Sequence, residues 1–403
     1  MYEKKAKQES DMSKIPGIKF TEILQEVLRL RKTLHRYPEL SGQERQTAGW
    51  IKANLEKHDP EMVIEGIGGH SLAAIFDSRQ AGPTLMLRAD IDALPIVEVN
   101  DFSHKSQHEG VSHKCGHDGH AAILTGIAAI VSRNRPAKGR LVLLFQAEEE
   151  TGQGAEKIIK DPKFKEIIPD MVFSLHNLPG FKKHAIILKD GAFASASKGV
   201  IIQLNGSSSH AAHPELGVSP GPMLPELISG LLDIPKNKTA YKDFTLITII
   251  HVRLGEVAFG TNPGKGVVMA TLRSFSNTDM HLMTKKLEKL VHDLSKKFGV
   301  KPEISYTEVF PATHNNKANC EIVRKAAEWS GASLHPIDLP FRWSEDFGHF
   351  AAHYPSALFG VGAGRKHPSL HQNDYDFPDD IIPTALNMFY NIADQVLNLS
   401  DHV

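Results

Sequence analysis

Apolar and polar residues follow two different rhythms along this chain. Between residues 21 and 35, Ile23, Leu24, Val27, Leu28 and Leu34 fall on one side of a 3.6-residue spiral, which predicts an amphipathic helix closed by Pro38. Ser41 with Glu44 three positions later predicts a capping box that opens a second helix toward Lys57. From residue 71 the spiral gives way to short unbroken apolar runs: Ser71–Phe76, Thr84–Leu87, Leu141–Phe145, Met171–Leu175 and Ala357–Val361. With helical stretches between some of them, these runs predict buried strands of a mostly parallel α/β sheet.

Residues 198–310 carry a different order. Strand-like Lys198–Asn205, helical Met223–Ile234, strand-like Phe244–Leu254 and Gly266–Phe275, helical Asp279–Phe298 and strand-like Glu303–Phe310 spell β-α-β-β-α-β, the ferredoxin-like pattern. A chain of 403 residues exceeds the size at which one core usually stops growing. The expected organisation is therefore an α/β domain in two pieces, 12–197 and 311–403, interrupted by an α+β insertion at 198–310.

Polar residues cluster where the apolar runs end. Arg88, Asp90 and Asp92 follow the second run, Glu148-Glu149-Glu150 the third, His176 the fourth, and the fifth leads through glycines to His367 and His371. Ligands of open α/β sheets bind beyond the carboxyl ends of the strands, so these groups are expected along one edge. A loop reading Cys115-Gly116-His117-Asp118-Gly119-His120, with His113 before it, supplies thiolate and imidazole within three residues, the donor types zinc-like ions prefer. Of two adjacent glutamates at a strand end, one can bind metal while the other faces water as a base, because neighbours in a strand point to opposite sides. His176 and His371 are candidates to complete such a centre. In the insertion, His210 follows Gly206-Ser207-Ser208-Ser209 and is a candidate donor to a developing oxyanion; Arg273 is a candidate to hold a substrate carboxylate, and Asn262 lies in the same insertion.

Bulk composition narrows the setting. Lys plus Arg number 46 against 47 Asp plus Glu, so no basic excess points to nucleic acid or an anionic membrane surface. Cys115 and Cys320 are the only cysteines, which fits a reducing compartment, and the lysine-rich N-terminus has no apolar segment behind it. A cytoplasmic protein is expected.

HRYPELSGQE at 35–44, LRADIDALPI at 87–96, CGHDGH at 115–120, FQAEEETGQGA at 145–155, LHNLP at 175–179, SSHAAHPELGVSP at 208–220, SEDF at 344–347 and LHQNDYDFPDD at 370–380 occur in this order. Together they resemble the co-catalytic metallopeptidases that include aminoacylases, hippurate hydrolases, auxin-conjugate amidohydrolases and N-acetyl-diaminopimelate deacetylases. The resemblance implies two divalent ions per subunit (zinc, manganese or cobalt) held by Cys115, His117, Glu150, His176 and His371. It makes Glu149 the general base, Asp92 a supporting acid, Asn262 a substrate-binding residue, and the insertion a lid and dimerisation domain bearing His210. The implied reaction cleaves the amide of an N-acyl amino acid, in a homodimer that engages neither nucleic acid nor membrane. A dipeptidase and a catalytically silent metal-binding scaffold are the alternatives. The family's Pro-Ala before the glutamate pair reads Ala147-Glu148 here, its Gly-Lys-Gly-Gly before the lid histidine reads Gly206-Ser207-Ser208-Ser209, and the segment after Asn262 is shorter.

Overall fold

The structure, a computed structural model, describes residues 19–399 and divides into two compact units. One holds the described residues to Phe193, His314–Leu339 and those from His349 onward; the other holds Ala194–Thr313 and Pro340–Gly348. Against the expected insertion at 198–310, the second unit starts earlier, ends later and takes in a separate stretch. Residues 12–18 and 400–403 of the expected domains lie outside the described residues.

In the first unit, α1 (Phe20–Arg36) and α2 (Arg45–Leu55) precede β1 (Met62–Ile67), β2 (Ser71–Asp77) and β3 (Thr84–Asp90). Then come α3 (His117–Val131), β4 (Arg140–Gln146), β5 (Met171–Pro179) and β6 (Ile186–Leu188). The sheet order is β1-β2-β4-β3-β5, then Ser356–Gly364, β6 and Leu334–Pro336. Its centre, from β4 through β3 and β5 to Ser356–Gly364, is parallel; β1 and β2 pair antiparallel at one margin. Because the central strands run together in register, Asp90 lies beside Gln146 and His176 beside Gly360. Their carboxyl ends share one edge.

All fifteen residues of α3 are buried, which explains why its apolar run shows no polar face. A Cβ on Gly126 would stand 2.7 Å from a Val27 methyl and 2.8 Å from a Leu386 methyl, so α1 and the helix Ile382–Leu397 close on α3 where the side chain is smallest. Each Leu or Ile buried in this core contributes about 1.5–3 kcal/mol relative to exposure.

The expected capping box is not formed. Helix α2 starts at Arg45, and Ser41 Oγ donates to Asp92 Oδ2 at 2.7 Å instead of capping. The Glu44 carboxylate accepts the Gly42 and Glu148 N–H groups. Tertiary partners outbid the local motif.

In the second unit, Thr245–Leu254, Lys265–Ser274, Ala196–Asn205 and Lys301–Phe310 lie side by side in that order, every pair antiparallel. Taking the strands in chain order this is 2-3-1-4, the ferredoxin-like arrangement. Helices Met223–Asp233 and Asn277–Phe298 bring Leu227, Leu231, Met283, Leu287 and Val291 into one core with Val200, Ile202, Val268 and Leu272. The longer helix is bounded as its sequence demands: Ser276 accepts the Asp279 N–H, and Gly299 ends it at φ 67°.

Candidate metal centre

The candidate centre is built from loops at one sheet edge of the first unit. Gly116 turns the chain into α3 at φ 96°, and a Cβ there would meet Asn177 Oδ1 at 2.4 Å, so glycine is required twice over. That turn presents Cys115 and His117, both buried. The continuation of β3 supplies Asp92. His117 Nδ1–H donates to Asp92 O at 3.0 Å and Oδ1 at 3.1 Å, which leaves Nε2 as the ring nitrogen without a hydrogen bond. Asp92 Oδ2 accepts the Glu150 N–H at 3.0 Å, tying the loop after β4 to the same point. His176, within β5, donates from Nδ1 to Asn177 O and points Nε2 to 3.5 Å from Cys115 Sγ. Beyond Ser356–Gly364, His371 places Nε2 3.6 Å from Glu150 Oε1.

Four overlapping sets of donor atoms each fall within 4.8 Å of one another: Cys115, His117 and His176; Cys115, Glu150 and His371; His117, Glu149 and Glu150; and, reaching behind through His117, Asp90, His117 and His120. Cys115, His117 and Glu150 are each shared between sets, so the six side chains of the first three form one cluster. His117 Nε2 and Glu150 Oε1 are buried yet have no hydrogen-bond partner, although buried polar atoms are nearly always paired. A borderline thiolate–imidazole–carboxylate donor set with orphaned lone pairs facing inward fits divalent ions of the zinc type.

The electrostatics agree. Burial opposes charge on His117, but Asp90, Asp92 and Glu150 outweigh it and raise the imidazole to about 10. The surrounding carboxylates therefore favour positive charge at this position. Burial, helped by His120, lowers His176 well below the usual imidazole range, and burial lowers His371, so both rings offer lone pairs. Burial and Asp92 push the Glu150 carboxyl up.

Behind the cluster lies a support that the chain's linear order does not reveal. Asp90 accepts from Arg88 and from His120, both at 2.6 Å, and His120 meets Asn177 on its other side. Asp118 accepts from His35 at 2.8 Å and pairs with Arg31 at 3.2 Å, while His35 donates onward to Glu98 at 2.9 Å. His35, His104 and Asp376 also approach one another, but Arg31 pairs with Asp376 and supplies the positive charge there. His113 is buried and neutral, pushed down to about 4 by desolvation. His367 donates to Asp376 O at 2.7 Å. The third acid, Glu148, sits at φ 60° and pairs with Lys157.

His210, Asn262 and Arg273 belong to the second unit. His210 is exposed on a two-residue strand paired with Thr261–Asn262, where Asn262 donates to Ser209 Oγ at 3.1 Å. Arg273 donates to Arg342 O at 2.7 Å and Ser344 Oγ at 3.2 Å.

Comparison with known proteins places this geometry among relatives. Residues 86–395 match the model described as peptidase family M20/M25/M40. The chain is 30% identical over 378 residues to N-acetyl-L-cysteine deacetylase of Bacillus subtilis (strain 168), covering 93% of this chain and 89% of that protein. Its fold is similar to that of a putative aminohydrolase from methicillin-resistant Staphylococcus aureus (TM-score 0.85, 23% identity, 94% of this chain and 97% of that one). It is also similar to that of the Bacillus subtilis YXEP protein, a dinuclear metal-binding peptidase from the M20 family (TM-score 0.80, 23% identity, 94% and 99%).

Proposed function

The chain belongs to peptidase family M20/M25/M40 and is a hydrolase of that family, and on this footing we propose that it releases an amino acid from an N-acyl amino acid by cleaving the amide bond. The observation that carries the reading is the convergence of Cys115, His117, Glu150, His176 and His371 with Glu149 beside them. Those five side chains would hold two divalent ions. Such ions, when bound, polarise a carbonyl and bring the pKa of water toward ~7.

The rest falls to the chain's own groups. Glu149 takes the proton of the attacking water and returns it to the leaving nitrogen. Asp92 fixes the orientation of the His117 ring and the Glu150 backbone, so these donors keep their aim. His210 steadies the developing oxyanion, and Asn262 and Arg273 receive the substrate carboxylate. The deacetylase relative supports an acyl amino acid as substrate and the YXEP neighbour supports two ions.

A homodimer is part of the proposal. Strand Thr245–Leu254 ends its sheet and exposes Ile250, Val252 and Leu254, whereas the opposite edge strand carries Lys301, Glu303 and Glu308. An apolar edge invites a second copy and a charged one repels it. Cytoplasmic residence is supported by two buried cysteines that form no disulfide; among the described residues no helix is long and apolar enough to cross a membrane.

Metal-stripped protein refilled separately with zinc, manganese or cobalt should hydrolyse members of an N-acyl amino acid panel. Glu149→Gln should keep its metal and lose turnover by about 10²–10⁴-fold. Parental turnover by that variant would remove Glu149 as base, and preference for free-amine dipeptides over acyl substrates would replace the acylase reading with a dipeptidase.

A further inference from the structure

We propose that Lys114 is a positioning residue for His371, setting how that imidazole meets Cys115 and Glu150. The inference rests on the two-ion reading above. Of the five donors, His371 has the least support. His117 and His176 are buried, and each ring is fixed by an Nδ1–H bond to a backbone carbonyl. The His371 side chain is 50% exposed, and its ring makes no hydrogen bond among the described residues. Its backbone sits at φ 65°, a conformation that a residue with a Cβ keeps only when its surroundings hold it.

Lys114 supplies that hold from both its main chain and its side chain. Its carbonyl accepts the His371 N–H at 2.8 Å. Its ammonium, fully buried, donates to Tyr375 O at 2.7 Å, Glu98 Oε1 at 2.5 Å and Asn100 Oδ1 at 2.9 Å. Three N–H groups meet three acceptors, so the side chain is satisfied and has one orientation. Asn100 extends the grip by donating to Asp374 O at 2.9 Å.

Burying an ammonium is unfavourable until its partners offset the lost hydration, and an apolar side chain of the same length would fill the same space. What the charged tripod adds is a defined distance between the Cys115 turn and the 371–375 loop. The tripod ends on the Tyr375 carbonyl and on Asn100, which itself holds Asp374, so slackening the grip shifts the 371–375 loop and carries His371 away from Cys115 and Glu150. The Cys115, His117 and His176 set keeps its separate anchors on Asp92 and Asn177.

The test is a calorimetric titration of metal-stripped protein with Mn²⁺. The parent should take up two ions. Lys114→Met, which keeps length and backbone but removes the three donors, should bind one ion at parental affinity and the other 10–100-fold more weakly, the range expected for a lost supporting partner. Two parental affinities would overturn the assignment, as would equal weakening of both ions. Should Lys114→Met fail to fold, Asn100→Ala decides: selective weakening of one ion supports the role and two unchanged affinities overturn it. A parent that binds two ions but hydrolyses no acyl amino acid would sink the proposed reaction and leave Lys114 in place. Parental ion binding by Lys114→Met in an active enzyme would do the reverse.

Discussion

Glu98 shows how a single side chain carries the support of the centre. Burial would raise its carboxyl, but hydrogen bonds from His35 and Lys114 outweigh that and hold it down to about 2. A carboxyl whose folded value lies below its unfolded one stabilises the fold above the unfolded value, near 4.5, and loses that contribution as pH falls through the folded value, near 2. The difference corresponds to about 3 kcal/mol at neutral pH. Glu98→Gln should therefore be less stable than the parent by roughly that amount at pH 7. In paired urea titrations the gap should shrink steadily between pH 4.5 and pH 2; a gap that stays constant with pH would remove the ion-pair account. Residues of this support escape a reading of the linear chain. Arg31, Glu98 and Lys114 look like surface charges there, and only tertiary burial distinguishes a buried cation from an exposed one. Cys115 and His117 are different, because two donor types within three residues are informative before any folding.

At the scale of elements, the turn into α3 is the critical joint. Gly116 combines a left-handed backbone with contact against Asn177 and Tyr375, so Gly116→Ala adds about 1–2 kcal/mol of backbone strain to a collision inside a hydrogen-bonded pair. The variant should melt lower and bind metal more weakly; parental melting temperature and stoichiometry would show that the turn tolerates a side chain. The strands were legible because each reads as an apolar run ending in polar residues, and their register then puts those ends together. The capping box does not form because Ser41 and Glu44 have better partners elsewhere, Asp92 for one and the Glu148 amide for the other. A local motif states which hydrogen bonds are available; packing decides which are made.

At the scale of the molecule, the second unit owns an apolar sheet edge that a lone chain leaves in water. Ile250→Lys together with Val252→Lys should leave the unit folded, since both side chains are exposed, and should convert the proposed dimer to a monomer by light scattering. An unchanged mass would take the dimer contact away from this strand. The division into units was legible in the change from mostly parallel runs to a β-α-β-β-α-β order. The capture of Pro340–Gly348 by the second unit was not, because nothing in that short segment's own pattern announces which core it joins.

Local chemistry and periodicity by themselves determined the two sheet types, the strand ends at which reactive groups gather, and the pairing of thiolate with imidazole in one loop. These are properties of neighbours in sequence, set by side-chain type and spacing. The tertiary structure alone decided that Cys115 and Glu150 are each shared between donor sets, that His371 meets residues more than two hundred positions away, and that Lys114 and Glu98 lie beneath them. Those outcomes depend on burial and on which hydrogen-bond partner wins, and both are fixed only when distant segments are packed together.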